Sequence, residues 1–194
     1  MSFKLGLTGS IGMGKSTTAG LFAEEGAEIW DADAAVHRLY AAGGAAVAPI
    51  AEAFPEALAD GAVSRDALRR IIATRPEALK IIEGIVHPLV RADRDAFADK
   101  SRAEITVYDI PLLFETGAQS EMDMTACVYV PYEEQRRRVL ERGTMSAADF
   151  EHILDKQMPI QDKLDRADFT IRTTDLETAR ADVHTVLEEI RKRL

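Results

Sequence analysis

The chain predicts an α/β fold, a five-stranded parallel sheet with helices on both faces. Three observations carry that expectation. Short apolar runs recur along the 194 residues, most of them ending on Gly or Asp. Stretches with helical spacing separate them. An interval of roughly 70 residues divides the second run from the third, far more than one crossover helix needs. Strands this short and apolar, alternating with helices, belong to sheets covered on both sides.

The elements follow in order. Phe3 to Leu7 reads as a buried strand that enters a glycine-rich segment, and Ser16 to Glu25 as the helix it feeds. Ala27-Glu28-Ile29-Trp30 closes on Asp31-Ala32-Asp33, and Ile105-Thr106-Val107-Tyr108 closes on Asp109. Thr125 to Val130 supplies a fourth strand and Asp168 to Ile171 a weaker fifth. Helical patterns fill the long interval at Val63 to Thr74, Pro76 to Val86 and Leu89 to Ala98. Pro76 suits a first helical turn, and His87-Pro88 is expected to break the helix between the last two. The interval, residues 35–100, reads as a helical insertion capping one side of the active-site edge. Pro131 to Leu164, mostly helical and basic at its start, reads as a mobile cover, with a lid over 135–165. A last amphipathic helix starts at Asp175 or Thr178 and runs to Leu194. The expectation is one domain over 1–194 with these two appendages.

Composition narrows the function. Hydrophobic residues make up 46% and charged residues 29%, as in an ordinary globular chain rather than a disordered one. The net charge of −9 repels nucleic acid and anionic lipid, so phosphate binding must come from local features. No nucleic-acid or membrane partner is expected, and the oligomeric state is left open. The single cysteine, Cys127, lies in an apolar run and reads as a buried, inert thiol. No apolar run approaches the roughly 20 residues of a membrane span. The chain starts straight into a motif rather than a cleavable signal, so a cytoplasmic location is expected.

The motif is Gly9-x-x-x-x-Gly14-Lys15-Ser16, between a strand and a helix, which is the context that defines a P-loop. Glycines allow positive φ and close approach to phosphate oxygens. The N–H groups then converge on those oxygens beside a helix N-terminus. Lys15 can neutralise β and γ oxygens, and Ser16 offers a hydroxyl to Mg²⁺. Gly9, Gly12, Met13 and Thr17 complete the expected triphosphate contacts, so ATP and Mg²⁺ are the implied ligands.

In an open parallel sheet, ligands sit beyond the carboxyl ends of the strands. Asp31 and Asp33 lie there. If that segment is extended, residues two apart point the same way. One carboxylate could then accept the proton of an attacking hydroxyl while the other orders water on Mg²⁺. The competing reading is a strand end capped by Asp, with Asp33 as N-cap of the next helix. Asp109 is a candidate for the outer shell of Mg²⁺, or simply a polar strand terminus. Arg136, Arg137, Arg138 and Arg142 form the densest basic cluster, with Arg138 and Arg142 on one helix face. Arg142 is the candidate clamp for transition-state charge; a solvated face is the plainer reading of the run.

With these pieces in place, the chain resembles the dephospho-CoA kinase family over nearly its whole length. The likeness rests on Leu7 to Thr17, Asp31-Ala32-Asp33, His87-Pro88, Pro111-Leu112-Leu113-Phe114-Glu115, and Gln135, Arg138, Arg142 and Gln157 in the lid. The resemblance implies a nucleoside-kinase-like architecture with a helical CoA subdomain and a lid. It implies transfer of the ATP γ-phosphate to the ribose 3′-hydroxyl of dephospho-CoA. On matching positions it makes Asp33 the general base and Asp31 its neighbour in the Mg²⁺ shell. His87, Glu115 and Arg138 become contacts for the acceptor; His87 has a competing reading as a helix-terminating residue, and Glu115 as an anchor of the subdomain. Two departures stand out. Met13 occupies a loop position where the family often has Ser. The chain has no Asn at all, whereas the family carries one near the adenine. Ile171-Arg172-Thr173-Thr174 fills that segment, leaving backbone groups, Thr hydroxyls or Arg172 stacking to meet the base. A nucleoside or nucleotide monophosphate kinase is the rival enzyme. A GTPase switch would need Asp-x-x-Gly and Asn-Lys-x-Asp motifs that the sequence lacks.

Overall fold

The computed structural model describes residues 2–194. The chain divides into two compact units, one running through Trp30 and again from Ser101 to Leu194, the other Asp31–Lys100.

In the first unit, β1 (Phe3–Thr8) leads through the glycine-rich loop into α1 (Lys15–Glu24). Gly26 turns the chain at φ 92 into β2 (Glu28–Asp31). In the second unit come α2 (Ala32–Tyr40), α3 (Val47–Ala53), a hairpin of β3 (Leu58–Ala59) and β4 (Ala62–Val63), α4 (Arg65–Thr74) and α5 (Ala78–Lys100). The chain then adds β5 (Ile105–Asp109), β6 (Met124–Tyr129), α6 (Tyr132–Glu141), α7 (Ala147–Lys156), α8 (Ile160–Arg166), β7 (Phe169–Arg172) and α9 (Leu176–Arg191). The expected five-stranded parallel sheet is present, in the order β2-β5-β1-β6-β7.

The strand alternation assigns the two faces of the sheet. Leu5 and Leu7 of β1, Ile105 and Val107 of β5, Ala126 and Val128 of β6 and Ile171 of β7 share one buried cluster with Phe22 of α1 and Val183 and Leu187 of α9. The residues between them face the other way. There the neighbours lie so close that a Cβ on Gly6 would stand 2.9 Å from Met122 Cγ and 3.0 Å from Leu113 Cδ2. Cys127, on that same register, is fully buried, and burial pushes its thiol up to about 12. The inert thiol read from the sequence is what the fold contains.

The second unit has its own core, built on Ile50, Phe54, Val63, Leu68, Ile71 and Ile82. Two expectations need correction here. Val63 belongs to the short hairpin, and α4 starts two residues later because Ser64 caps it, accepting the Ala67 N–H at 3.2 Å. His87-Pro88 does not end a helix: α5 runs unbroken from Ala78 to Lys100 with Pro88 inside it. Proline removes one intrahelical bond and crowds the carbonyl four residues back. That carbonyl belongs to Gly84, whose backbone has the freedom to tilt, while Ala78, Ile82 and Val86 bury the opposite stripe and hold the helix together.

Pro88 is exposed. Pro88→Ala is therefore expected to stabilise the protein by about 1–3 kcal/mol. Denaturant unfolding monitored by circular dichroism checks this; an unchanged or lowered midpoint contradicts it.

Candidate active site

The loop between β1 and α1 is shaped by contacts that only glycine fits. Gly12 and Gly14 stand at φ 76 and 84, where a side chain is strained. At Gly12 a Cβ would also lie 2.4 Å from Val139 Cγ2 of α6, and at Gly9 one would lie 2.3 Å from Val128 Cγ2. Helix α1 begins at Lys15 with no side-chain cap and no acidic residue in its first turn. Ser, Thr, Asp and Asn are preferred there because their side chains occupy the first N–H groups. With Gly14 in that place, no capping side chain competes with an anion for them.

Lys15 lies one residue beyond Gly14 and forms an ion pair with Asp109, the last residue of β5. Asp109 is 2% exposed and sits in register with Leu7 of β1, just before the loop. A buried carboxylate thus holds the ammonium at the mouth of the cradle. Ser16 and Thr17 are exposed in the first turn of α1. Ser16 Oγ and the Asp109 carboxylate are hard oxygen donors of the kind Mg²⁺ accepts. Among the described residues no group of three His, Cys, Asp or Glu could form a protein cage for a metal. The donor set fits a cation that takes most of its ligands from phosphate and water.

Side chains from two further elements reach the loop. Gln135 Nε2 of α6 donates to the Ile11 carbonyl at 2.7 Å. Thr173 Oγ1, just after β7, donates to the Met13 carbonyl at 2.6 Å. Arg138 donates from one terminal nitrogen to the carbonyls of Thr173 and Thr174, at 2.7 and 3.0 Å. Its Nε bonds Glu134 at 2.6 Å. The Glu134 carboxyl is held down at about 2, first by Arg137 and then by Arg138.

This arrangement has close counterparts. A family model described as dephospho-CoA kinase matches residues 3–177. The chain belongs to the dephospho-CoA kinase family. A dephospho-CoA kinase of Ruegeria pomeroyi is 60% identical over 98% of this chain and 97% of its own length. A crystal structure from Thermus thermophilus aligns with TM-score 0.87 and 33% identity, covering 100% of this chain and 98% of that one. The dephospho-CoA kinase from Campylobacter jejuni aligns with TM-score 0.73 and 29% identity, covering 99% and 98%.

Within this kinase, the first unit holds the loop residues Gly9, Gly12, Met13, Gly14, Lys15, Ser16 and Thr17, with Asp109 paired to Lys15. Asp31, Asp33 and His87 belong to the other compact unit. Asp31 ends β2 and is the N-cap of α2, accepting the Ala34 N–H at 2.9 Å. Asp33, the cap in the competing reading, lies exposed in the first helical turn instead. The extended geometry that would align the two carboxylates does not occur, because the helix starts at Ala32. His87 is exposed in the middle of α5, so it terminates no helix. Arg142 is the exposed C-cap residue of α6. Arg138, expected to reach the acceptor, bonds Glu134 and the two Thr carbonyls. Arg172, considered for stacking on the base, is tied to Asp182 through two bonds of 2.9 and 2.7 Å.

Glu115 is an anchor. It pairs at 2.8 Å with Lys163 of α8, which is fully buried, and accepts the Met158 N–H at 3.1 Å. Lys163 also donates to the Pro111 carbonyl at 3.0 Å, which Thr8 Oγ1 shares at 3.0 Å. The pair therefore pins both ends of the Pro111–Glu115 turn. Lys163 escaped the sequence reading because it stands among Gln161, Asp162, Asp165 and Arg166, with nothing to mark it as buried.

Burial acts to raise the Glu115 carboxyl, but hydrogen bonds from Lys163 and from backbone N–H groups outweigh it and hold the group below the usual range. A depressed carboxylate stabilises the fold above its unfolded pKa and loses that contribution as pH falls through its folded value. Glu115→Gln is expected to cost about 1–3 kcal/mol at pH 7. Urea unfolding should show this gap narrowing from about pH 5 downward; a gap that is constant or widens on acidification contradicts the assignment.

Proposed function

We propose that this chain phosphorylates the ribose 3′-hydroxyl of dephospho-CoA, using ATP and releasing CoA and ADP. The observation that carries the reading is the triphosphate cradle, with Lys15 held at its mouth by Asp109, in a chain of this family. When bound, ATP supplies the transferred phosphoryl group, and Mg²⁺ neutralises charge on its oxygens. Every other step falls to side chains and backbone. The loop N–H groups and the start of α1 bind the phosphates. Lys15 follows the charge as it builds on the bond to the leaving ADP oxygen. Ser16 holds the cation, with the carboxylates of Asp109 and Asp31 candidates to order its water.

Asp33 accepts the proton of the 3′-hydroxyl as that oxygen forms its bond to phosphorus. Its exposed place in the first turn of α2 supports the role, since the carboxylate is not consumed as a cap: Asp31 performs that task. His87 and the Pro111–Glu115 turn serve the acceptor side, the turn through the anchor described above. Arg142 supplies positive charge to the equatorial oxygens. Action in the cytoplasm and independence of nucleic acid belong to the same reading, the latter supported by the net charge of −9.

A coupled ADP-release assay with dephospho-CoA, AMP, CMP and uridine tests the substrate. Turnover with dephospho-CoA is expected to dominate; turnover of a nucleoside monophosphate without dephospho-CoA would refute the proposal. In the same assay Asp33→Asn is expected to lower kcat by about 10²–10⁴-fold with ATP affinity nearly unchanged. Arg142→Ala should lower kcat more than it raises the KM for dephospho-CoA. Full turnover by Asp33→Asn removes the base, and a pure KM effect removes Arg142 from the charge-stabilising role.

A further inference from the structure

We infer that Gln135 and Thr173 are positioning residues of the triphosphate site, which aim the Gly12 and Gly14 N–H groups into the cradle by holding the carbonyls behind them. The identity of the bound triphosphate rests on the kinase reading above; the geometry does not.

In a trans peptide the carbonyl and the following N–H point to opposite sides. Fixing one therefore fixes the other. The Ile11 carbonyl is held by Gln135 Nε2 at 2.7 Å, which turns the Gly12 N–H away from α6. The Met13 carbonyl is held by Thr173 Oγ1 at 2.6 Å, which turns the Gly14 N–H away from the end of β7. The Met13 N–H closes a turn onto the Ser10 carbonyl at 3.3 Å, so that peptide is not one of the inward donors. Both tethers are shielded: Gln135 is 2% exposed and Thr173 is 7% exposed. A carbonyl deprived of its donor in such a place is costly, so each bond selects one peptide orientation over its flipped alternative.

The two tethers also support each other. Thr173 donates its N–H to the Tyr129 carbonyl at 3.0 Å, which fixes it to the end of β6. Its carbonyl accepts from Arg138, which stands three residues on from Gln135 along α6. The circuit runs from α6 through Gln135 to the loop, through Thr173 to Arg138, and back to α6. Side-chain packing follows the same route, since the space at Gly12 is closed by Val139 and the space at Gly14 by Thr173. The start of α6 is thus scaffold for the loop, although the sequence reading assigned it to a mobile cover.

The test separates nucleotide binding from acceptor turnover. Thr173→Val keeps the shape and removes the hydroxyl; Thr173→Ser keeps the hydroxyl; Gln135→Met keeps the length and removes the donor. ATP and ADP affinities are measured by calorimetry without acceptor, and the KM of each substrate by steady-state assay. Thr173→Val and Gln135→Met are expected to bind ATP and ADP roughly three- to tenfold more weakly. The KM for dephospho-CoA should stay within about twofold, and Thr173→Ser should bind nucleotide nearly as the parent does. Wild-type ATP affinity in either donor-less variant, or a dephospho-CoA KM that moves in step with that of ATP, overturns the inference. If Thr173→Val does not fold, Gln135→Met and Thr173→Ser decide it by the same criteria. Parent protein that binds ATP but does not turn over dephospho-CoA would sink the proposed function and leave this inference to stand or fall on the calorimetry.

Discussion

A row of backbone N–H groups converging on one point leaves its carbonyls facing outward, where something else must satisfy them. That constraint organises the nucleotide half of this kinase. The loop between β1 and α1 meets it with two positive-φ glycines, Gly12 and Gly14, and with two side-chain donors that arrive from far along the chain. The arrival of those donors in turn requires β6 to lie beside β1 and β7 beside β6, each in parallel register, with α6 following β6 against the loop. The sheet order is thus tied to the geometry of a few peptide planes. Lys15 adds the charge, and Asp109 keeps its ammonium at the cradle, although an ammonium on a four-carbon stem has many other rotamers open to it.

A second ion pair, buried at its lysine end, shapes the other side of β1. Lys163 is fully buried and needs the partner that Glu115 supplies nearer the surface, and each spends its remaining capacity on backbone groups of the Pro111–Glu115 turn and of Met158. Removing one partner of such a pair is more costly than the pair itself is stabilising. The purpose of the arrangement is therefore position: it fixes the turn that follows Asp109 to the helix that precedes β7. Neither ion pair has a residue in the Asp31–Lys100 unit. That unit carries an apolar core of its own, and its longest helix survives an internal proline because one stripe of that helix is buried while Pro88 faces solvent.

Much of this was legible in the residues. The loop, the strands and Asp109 were visible because each strand is a continuous apolar run ending at the site, and boundaries fell within a residue or two of those observed. Helix α3 was not, since Ala41 to Ala53 is largely alanine and glycine and carries little apolar periodicity. The break at Pro88 was misjudged because local preference was overridden by tertiary packing. Asp31 and Asp33 were singled out from the sequence, but the extended geometry assumed for them fails where Asp31 caps a helix. Gln135, Thr173 and Lys163 illustrate a general limit. A polar side chain that serves backbone atoms distant in sequence leaves no periodic or motif signal, so only the fold reveals its task.

The central proposal is that peptide planes held from behind present the phosphates to Lys15 while Asp33 receives the proton of the acceptor hydroxyl. A crystal structure with a non-hydrolysable ATP analogue and dephospho-CoA bound together tests it most directly. The account predicts phosphate oxygens on the N–H groups of Gly12, Gly14 and Lys15, and the 3′-hydroxyl within hydrogen-bond reach of the Asp33 carboxylate. Phosphates seated away from those amides, or a 3′-hydroxyl facing another side chain, would contradict it.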